Sequence, residues 1–193
     1  MMGCRLAYGQ SDEYSFLLTD FERNETEMWF SGNVQKIASV SASIFTASFN
    51  RQWGYAAHSP ARLAYFDSRA FIISGRQAVE EYFIWRQTDA SRNSLNTLAG
   101  TLYSAKELMG KNSSSKHAML NLKGCDWNTY GADFKWGRII RRVPNKRTIT
   151  FTHKKTNEVI SKEIDESVWS VDKNIPIFAK TKGYLDSLIP ILS

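Results

Sequence analysis

Cysteine is scarce. Cys4 and Cys125 are the only two in 193 residues, too few for a disulfide-stapled fold or a four-thiolate zinc centre. A reducing compartment is expected, and both read as buried thiols, since no neighbour in sequence would depress their pKa. The three histidines, His58, His117 and His153, are dispersed without metal-ligand spacing. No apolar stretch approaches the roughly 18 residues of a spanning helix. The opening Met-Met-Gly-Cys-Arg-Leu has no apolar leader region. The expectation is therefore a cytoplasmic protein with no membrane partner. There is no internal repeat or low-complexity tract, and Gly110-Lys111 lacks the spacing of a phosphate-binding P-loop.

What is present is a globular composition: 42% hydrophobic and 23% charged residues, enough to bury one core. The net charge is +6, and it is unevenly spread. From Phe134 to Asn157 there is no acid, while Lys135, Arg138, Arg141, Arg142, Lys146, Arg147, Lys154 and Lys155 are all cationic. Those eight charges exceed the net charge of the whole chain. A one-sided field of this kind fits a phosphate backbone, and Phe134 and Trp136 are placed to stack bases. A solvated basic hairpin is the plainer alternative.

Patterning suggests a coarse map. Residues 4–18 read as a β-hairpin whose polar tip is Gly9-Gln10-Ser11-Asp12. Helical spacing of apolar residues runs from Ser31 to Asn50. A strand is expected over Arg62–Ser74, then helices from Gln77 past Asn93, over Ser104–Leu108 ending at Gly110, and over Lys116–Leu122 capped from Asn112. Strands are expected at Gly137–Val143, Arg147–Thr152 and Glu158–Glu163, with Lys154–Asn157 as a turn. The tail, Ile175-Pro176-Ile177-Phe178 and Leu185 to Leu192, reads as a docking segment. Tyr82 and Trp85 read as core, and Met109 and Met119 as packing. Arg86, Asp89 and Arg92 share one helical face, where Arg92 meets either RNA, a partner subunit or only Asp89.

The most chemical feature is the tip Gly9-Gln10-Ser11-Asp12-Glu13. A carboxylate at a tight turn suits Mg²⁺, which takes one or two carboxylates and completes its shell with phosphate oxygens and water. A solvated acidic turn is the bland reading. Side chains alternate along a strand, so Asp12 and Glu13 do not both serve one ion on a regular strand. A second ligand has to come from elsewhere.

The ten residues Ala7-Tyr8-Gly9-Gln10-Ser11-Asp12-Glu13-Tyr14-Ser15-Phe16 resemble the signature of the tRNA(His) guanylyltransferase family and its guanylyltransferase-like relatives, the 3′-to-5′ RNA polymerases. Agreement continues in order through Val34-Gln35-Lys36-Ile37, Phe66-Asp67-Ser68-Arg69, Trp85-Arg86-Gln87-Thr88-Asp89-Ala90, Lys106-Glu107-Leu108-Met109-Gly110-Lys111 and Trp127-Asn128. The resemblance implies an α+β fold: a palm-like (ferredoxin-like) antiparallel sheet backed by helices, with a C-terminal helical and β-hairpin extension. It places a palm-like catalytic domain, truncated at its N-terminus, in 1–100 and the extension in 101–193, packed as one unit. It implies nucleotide addition to a tRNA 5′ end, with ATP and GTP as substrates and two Mg²⁺ ions. A homo-oligomer, a tetramer in the family, is expected.

By position, Asp12 matches a metal ligand and Glu13 a catalytic acid. Ser11 and Asp12 fall at nucleotide-binding positions, Lys36 matches a triphosphate-binding lysine, and Lys116 and Asn128 match polar positions tied to activity. Lys135, Arg138, Arg141, Arg142, Lys146 and Arg147 are the expected tRNA contacts. Asn33 occupies a nucleotide-binding position where relatives often carry arginine, which weakens triphosphate binding. The family's Asp-Gly pair, which holds its other metal-ligand aspartate on an upstream strand, does not occur here. That departure leaves three readings: a fragment or mis-called start, a strand supplied by another polypeptide, or a catalytically inactive tRNA-binding remnant. Asp67 is a weaker candidate ligand, more naturally paired with Arg69. Ala90-Ser91-Arg92-Asn93-Ser94 replaces the His-Ile-Asn-Asn motif of the tRNA(His)-specific enzymes and points to the guanylyltransferase-like branch, associated with template-dependent 5′-end repair.

Overall fold

The computed structural model describes residues 3–21, 26–57, 63–152 and 157–190. His58, Arg62, His153, Lys154, Lys155 and Leu192 lie outside the described residues. In chain order the elements are β1 (Cys4–Gln10), β2 (Glu13–Leu18), α1 (Val34–Ala57), α2 (Arg76–Leu102), α3 (Ala105–Leu108), α4 (Ser113–Leu122), α5 (Ala132–Trp136), β3 (Arg138–Thr152) and β4 (Val159–Asp172). The chain forms two compact units, one built mainly from Leu18–Val79, the other from Arg5–Leu17 and Glu80–Pro190. The boundary expected at residue 100 falls inside α2, which continues unbroken to Leu102.

In the first unit, α1 starts where Asn33 satisfies its first donors. The Asn33 Oδ1 accepts from the Lys36 N–H at 3.0 Å, and its carbonyl accepts from Ile37 at 2.9 Å, an N-cap arrangement. The turn before it holds three consecutive left-handed residues, Phe30, Ser31 and Gly32, with φ of 53°, 51° and 74°. Against α1 lies the extended segment 63–74. The strand expected there is not a strand: no ladder partner is present among the described residues, and α1 side chains satisfy its backbone instead. Asn50 donates to the Ala64 carbonyl at 2.8 Å and accepts from the Ala64 N–H at 2.9 Å, Thr46 Oγ1 accepts from the Phe66 N–H at 3.2 Å, and Ser41 donates to Ser68 at 2.8 Å. Phe66 sits edge-on to Phe45 and Phe49. Two-residue alternation turns Leu63, Tyr65, Asp67 and Arg69 outward, and all four are exposed.

The second unit carries a four-stranded sheet in the order β2-β1-β3-β4. The β1–β2 hairpin forms as expected. β1 pairs antiparallel with β3 only over Arg138–Arg141, while β3 and β4 pair from Ile139↔Asp172 out to Thr152↔Val159. The three short strands expected here are thus two long ones. Pro144, which lies between two of the expected strands, pairs within β3 opposite Ser167. Beyond Arg141 the other side of β3 has no strand partner among the described residues, and at such an edge a residue without an N–H is tolerated.

The core gathers Leu6, Tyr8, Phe83, Ile139 and Ile175, each at most 1% exposed. Tyr8 makes edge contacts with Phe83 and Phe178, a geometry worth about 0.5–1.5 kcal/mol beyond area burial. A second cluster packs Leu95, Leu98 and Ala99 of α2 on Leu120 and Trp127, with Leu108, Cys125 and Phe134 against it. Phe134, proposed to stack bases, is therefore packing. Trp85, expected in the core, is 58% exposed, because α2 turns Phe83 and Gln87 inward on either side of it.

The tail docks as expected, through Ile175, Phe178, Leu185 and Ile189. Gln87 holds it. At 3% exposure, its Nε2 donates to the Pro176 carbonyl at 2.9 Å and its Oε1 accepts from the Phe178 N–H at 2.7 Å. Removing a buried partner of this kind costs about 1–3 kcal/mol per orphaned group. Gln87→Ala is expected to lower unfolding stability by at least ~2 kcal/mol in urea denaturation, and a change below about 0.5 kcal/mol would contradict the tie.

Candidate active site

The hairpin tip is built from the backbone outward. β1 ends at Gln10 and β2 starts at Glu13, leaving a two-residue loop. Ser11 takes the left-handed conformation, φ 51°, as tight hairpin loops require of at least one residue. Gly9 is needed for close packing: a Cβ there would stand 2.8 Å from the Tyr14 ring. Behind it, the Tyr8 hydroxyl donates to the Trp136 carbonyl at 2.6 Å, and a Cβ on Gly137 would meet the Gly9 carbonyl at 2.6 Å. The Tyr8 phenol is pushed well above its ordinary range, first by burial, so it stays a donor.

Ser11, Asp12 and Glu13 are all exposed, but the two acids are used differently. Glu13 is bonded to the Arg86 guanidinium, which is 11% exposed. Arg86 also faces Asp89 at 3.8 Å and lies 5.1 Å from the Trp85 ring. Asp12 carries no hydrogen bond or ion pair among the described residues, so its carboxylate stands free at the tip. The alternation argument is met in this way: neighbouring acids, one clamped and one open.

Two polar groups, on β1 and α2, lack partners among the described residues. Gln10 is 6% exposed and its Oε1 finds no donor, while the Arg86 Nε finds no acceptor. Orphaned buried groups of this kind call for a functional or structural explanation.

As for a metal, no group of three or more His, Cys, Asp or Glu side chains converges among the described residues. The donor set is the single carboxylate of Asp12, which fits Mg²⁺ only as one ligand of an ion completed by phosphate oxygens and water. Asp67 pairs with Arg69 at 3.6 Å, with both side chains more than four-fifths exposed, a contact of little energetic weight.

Lys36 and Asn33 belong to the first unit. Asn33 is the α1 cap, and Lys36 is exposed with its Nζ 4.9 Å from the Phe30 ring. Lys116 donates to Asn96 Oδ1 at 2.7 Å. Asn128 sits in a short 3₁₀ turn where its N–H and side-chain amide both donate to Asp126 Oδ1 at 2.9 Å.

The basic stretch differs from its sequence reading. Lys135 is buried, donating to the Asn128 carbonyl at 2.7 Å with Trp127 and Trp136 about its ammonium group. It is an internal residue. Along the hairpin, β4 brings up acids: Lys146 pairs with Glu163 and Arg147 with Glu166, each at 3.4 Å, while Arg142 covers Trp169. A run without acids in sequence is thus compensated across the sheet. Arg86 was not legible as the partner of Glu13; the sequence showed it on a shared face with Asp89 and Arg92 and within a stretch that matches the family.

Sheet, backing helices and acidic turn together define an α+β protein with a palm-like sheet. The profile described as Thg1, tRNAHis guanylyltransferase, matches residues 1–74. A bacterial tRNA(His) guanylyltransferase (Thg1)-like protein in complex with ATP superposes with a TM-score of 0.79 at 34% identity, over 99% of this chain and 73% of that one. Such a bacterial protein in complex with GTP gives 0.68 at 34%, over 97% and 69%. The probable tRNA(His) guanylyltransferase of Drosophila melanogaster is 34% identical over 151 residues, 71% of this chain and 50% of that protein. This chain is a member of the tRNA(His) guanylyltransferase (Thg1)-like family. It spans half the length of that curated Drosophila relative.

Two outcomes follow from the geometry. Arg86→Ala should speed amide hydrogen exchange across Ser11–Tyr14 and leave Leu6–Tyr8 protected; unchanged exchange at the tip would show that the clamp does not order it. Asn33→Ala should cost about 1 kcal/mol in chemical denaturation, and no loss would remove it as the α1 cap.

Proposed function

We propose that the chain is a 3′-to-5′ nucleotidyltransferase that extends the 5′ end of tRNA. The observation that carries this reading is the tip: an unpaired Asp12 carboxylate on a left-handed turn, beside a Glu13 clamped by buried Arg86. The family membership and the ATP- and GTP-bound relatives support it.

In the reaction implied, the 3′-hydroxyl oxygen of an incoming nucleotide attacks the activated phosphorus at the RNA 5′ end; the bond from that phosphorus to the oxygen of AMP or pyrophosphate breaks in line, and the hydroxyl proton passes to solvent. Such chemistry needs positioning and charge neutralisation more than covalent help. Asp12 would hold Mg²⁺ through one carboxylate oxygen, and the ion would neutralise phosphate charge there. Arg86 keeps Glu13 from competing for the same cation and fixes its direction. Ser11, in its left-handed turn, offers a hydroxyl at the tip for nucleotide contact. Lys36 brings a point charge suited to a triphosphate, and Asn33 orders the helix start from which Lys36 projects. Arg138, Arg141, Arg142, Lys146 and Arg147 contribute backbone contacts with little sequence specificity, those of Lys146 and Arg147 reduced by Glu163 and Glu166 on β4. The guanylyltransferase-like repair activity is the finer form of this reading. The cytoplasm, a tRNA partner and a homo-oligomer accompany it.

The test is 5′ extension of a tRNA lacking its first nucleotide, with ATP, GTP and Mg²⁺. The expected product is one nucleotide longer. Asp12→Ala should cut its rate by at least ~100-fold while RNA binding persists. RNA binding without any extension by the wild type would overturn the enzymatic reading and leave a non-catalytic RNA-binding protein.

A further inference from the structure

The helical part of the second unit carries another basic surface, apart from the β3–β4 hairpin. Between Asp89 and Asp126 the only acid is Glu107, against Arg92, Lys106, Lys111, Lys116 and Lys123. Glu107 is already engaged: it accepts from the Ser104 N–H at 2.8 Å and from its hydroxyl at 2.7 Å. Those bonds hold its carboxyl below the ordinary range, with a smaller pull from Lys123. No carboxylate stands within ion-pair distance of the four lysines among the described residues.

Two of these lysines are set in a row by the α2/α4 packing. Lys116 Nζ donates to Asn96 Oδ1 at 2.7 Å, and Lys123 Nζ lies 5.7 Å from the Tyr103 ring. The two rungs are seven residues apart in each segment, the second lying one residue past the end of α2 and of α4. Tyr103 fixes the register, its hydroxyl donating to the Met119 carbonyl at 2.6 Å. Seven residues of helix rise about 10 Å, so the two ammonium groups are separate point charges on a rigid seam.

Arg92 continues the row one turn before Asn96 on α2. Its side chain is 66% exposed, and it gives one nitrogen to Asp89, leaving other guanidinium donors available. Gly100 falls between the rungs, and a Cβ there would meet nothing within 4 Å, so the strip is open. Within it Lys123 covers the Tyr103 ring; Leu102 and Leu122 are exposed on the same two helices, and the unopposed cations are what favour a phosphate backbone.

We propose that this α2/α4 seam is a docking face for an RNA phosphate backbone, with Arg92, Lys116 and Lys123 each contacting a separate phosphate. The inference rests on the reading that the substrate is RNA, and adds where on the chain its backbone runs. The hairpin, whose cations are partly neutralised by β4, is then the weaker of the two basic surfaces. Lys116, matched to activity only by resemblance, acquires a physical role: an ammonium group steadied by Asn96 with two donors left for a phosphate.

The test is fluorescence anisotropy with a labelled RNA stem-loop bearing a single-stranded 3′ tail, without nucleotide or metal, across a salt series. Lys116→Ala with Lys123→Ala should weaken binding about tenfold or more at low salt. It should also flatten the slope of log affinity against log salt by about 1.5, two phosphates' worth. Lys116→Arg with Lys123→Arg should retain affinity and slope. An alanine pair that binds like wild type overturns the seam and leaves the substrate reading intact. An arginine pair as weak as the alanine pair marks the lysines as structural and also overturns it. Wild-type protein that binds anionic phospholipid vesicles but no RNA overturns the seam and the substrate reading together.

Discussion

The contact between the Arg86 guanidinium and the Glu13 carboxylate sets the character of the acidic turn. A buried guanidinium requires an acidic partner, and Glu13 is that partner at the end of a two-residue loop. The clamp draws one of two adjacent acids onto α2 and leaves Asp12 outside. Without it, two like charges would share an exposed tip with no distinction between them. The next residue on α2, Gln87, faces the other way and binds the tail. One turn of helix thus fixes the acidic turn on one side and closes the core on the other.

The rest of the second unit makes that turn rigid. Tyr8 is packed by Phe83 and Phe178 and hydrogen-bonded to Trp136, while Gly9 and Gly137 permit the close backbone approach between them. The side chains that position Asp12 are therefore core residues, and the acid itself is exposed. Interior packing holds a group whose work is at the surface, a common division between scaffold and site.

Much of this was legible in sequence because it is local. The helix cap at Asn112, the hairpin at 4–18 and the docking tail all follow from neighbouring residues. What was not legible depends on partners distant in the chain. The acid-free run 134–157 read as an unopposed field, yet β4 supplies Glu163 and Glu166 across the ladder. Lys135 read as a surface cation and is enclosed by tryptophans and a carbonyl. Segment 63–74 had the alternation of a strand and took the conformation, but a strand also needs a ladder, and here Asn50 and Thr46 stand in for one. The seam of Arg92, Lys116 and Lys123 was not legible as a group because its members lie up to thirty-one positions apart in the chain and meet only when α4 packs on α2.

The central claim is that Asp12 is the free carboxylate that receives a metal-bound triphosphate. Calorimetric titration of GTP with and without Mg²⁺, for wild type and Asp12→Asn, tests it most directly. The account predicts that Mg²⁺ tightens GTP binding to the wild type by about tenfold or more, ~1.4 kcal/mol, and that Asp12→Asn loses this increment while metal-free binding is unchanged. An equal Mg²⁺ increment in both proteins would contradict it.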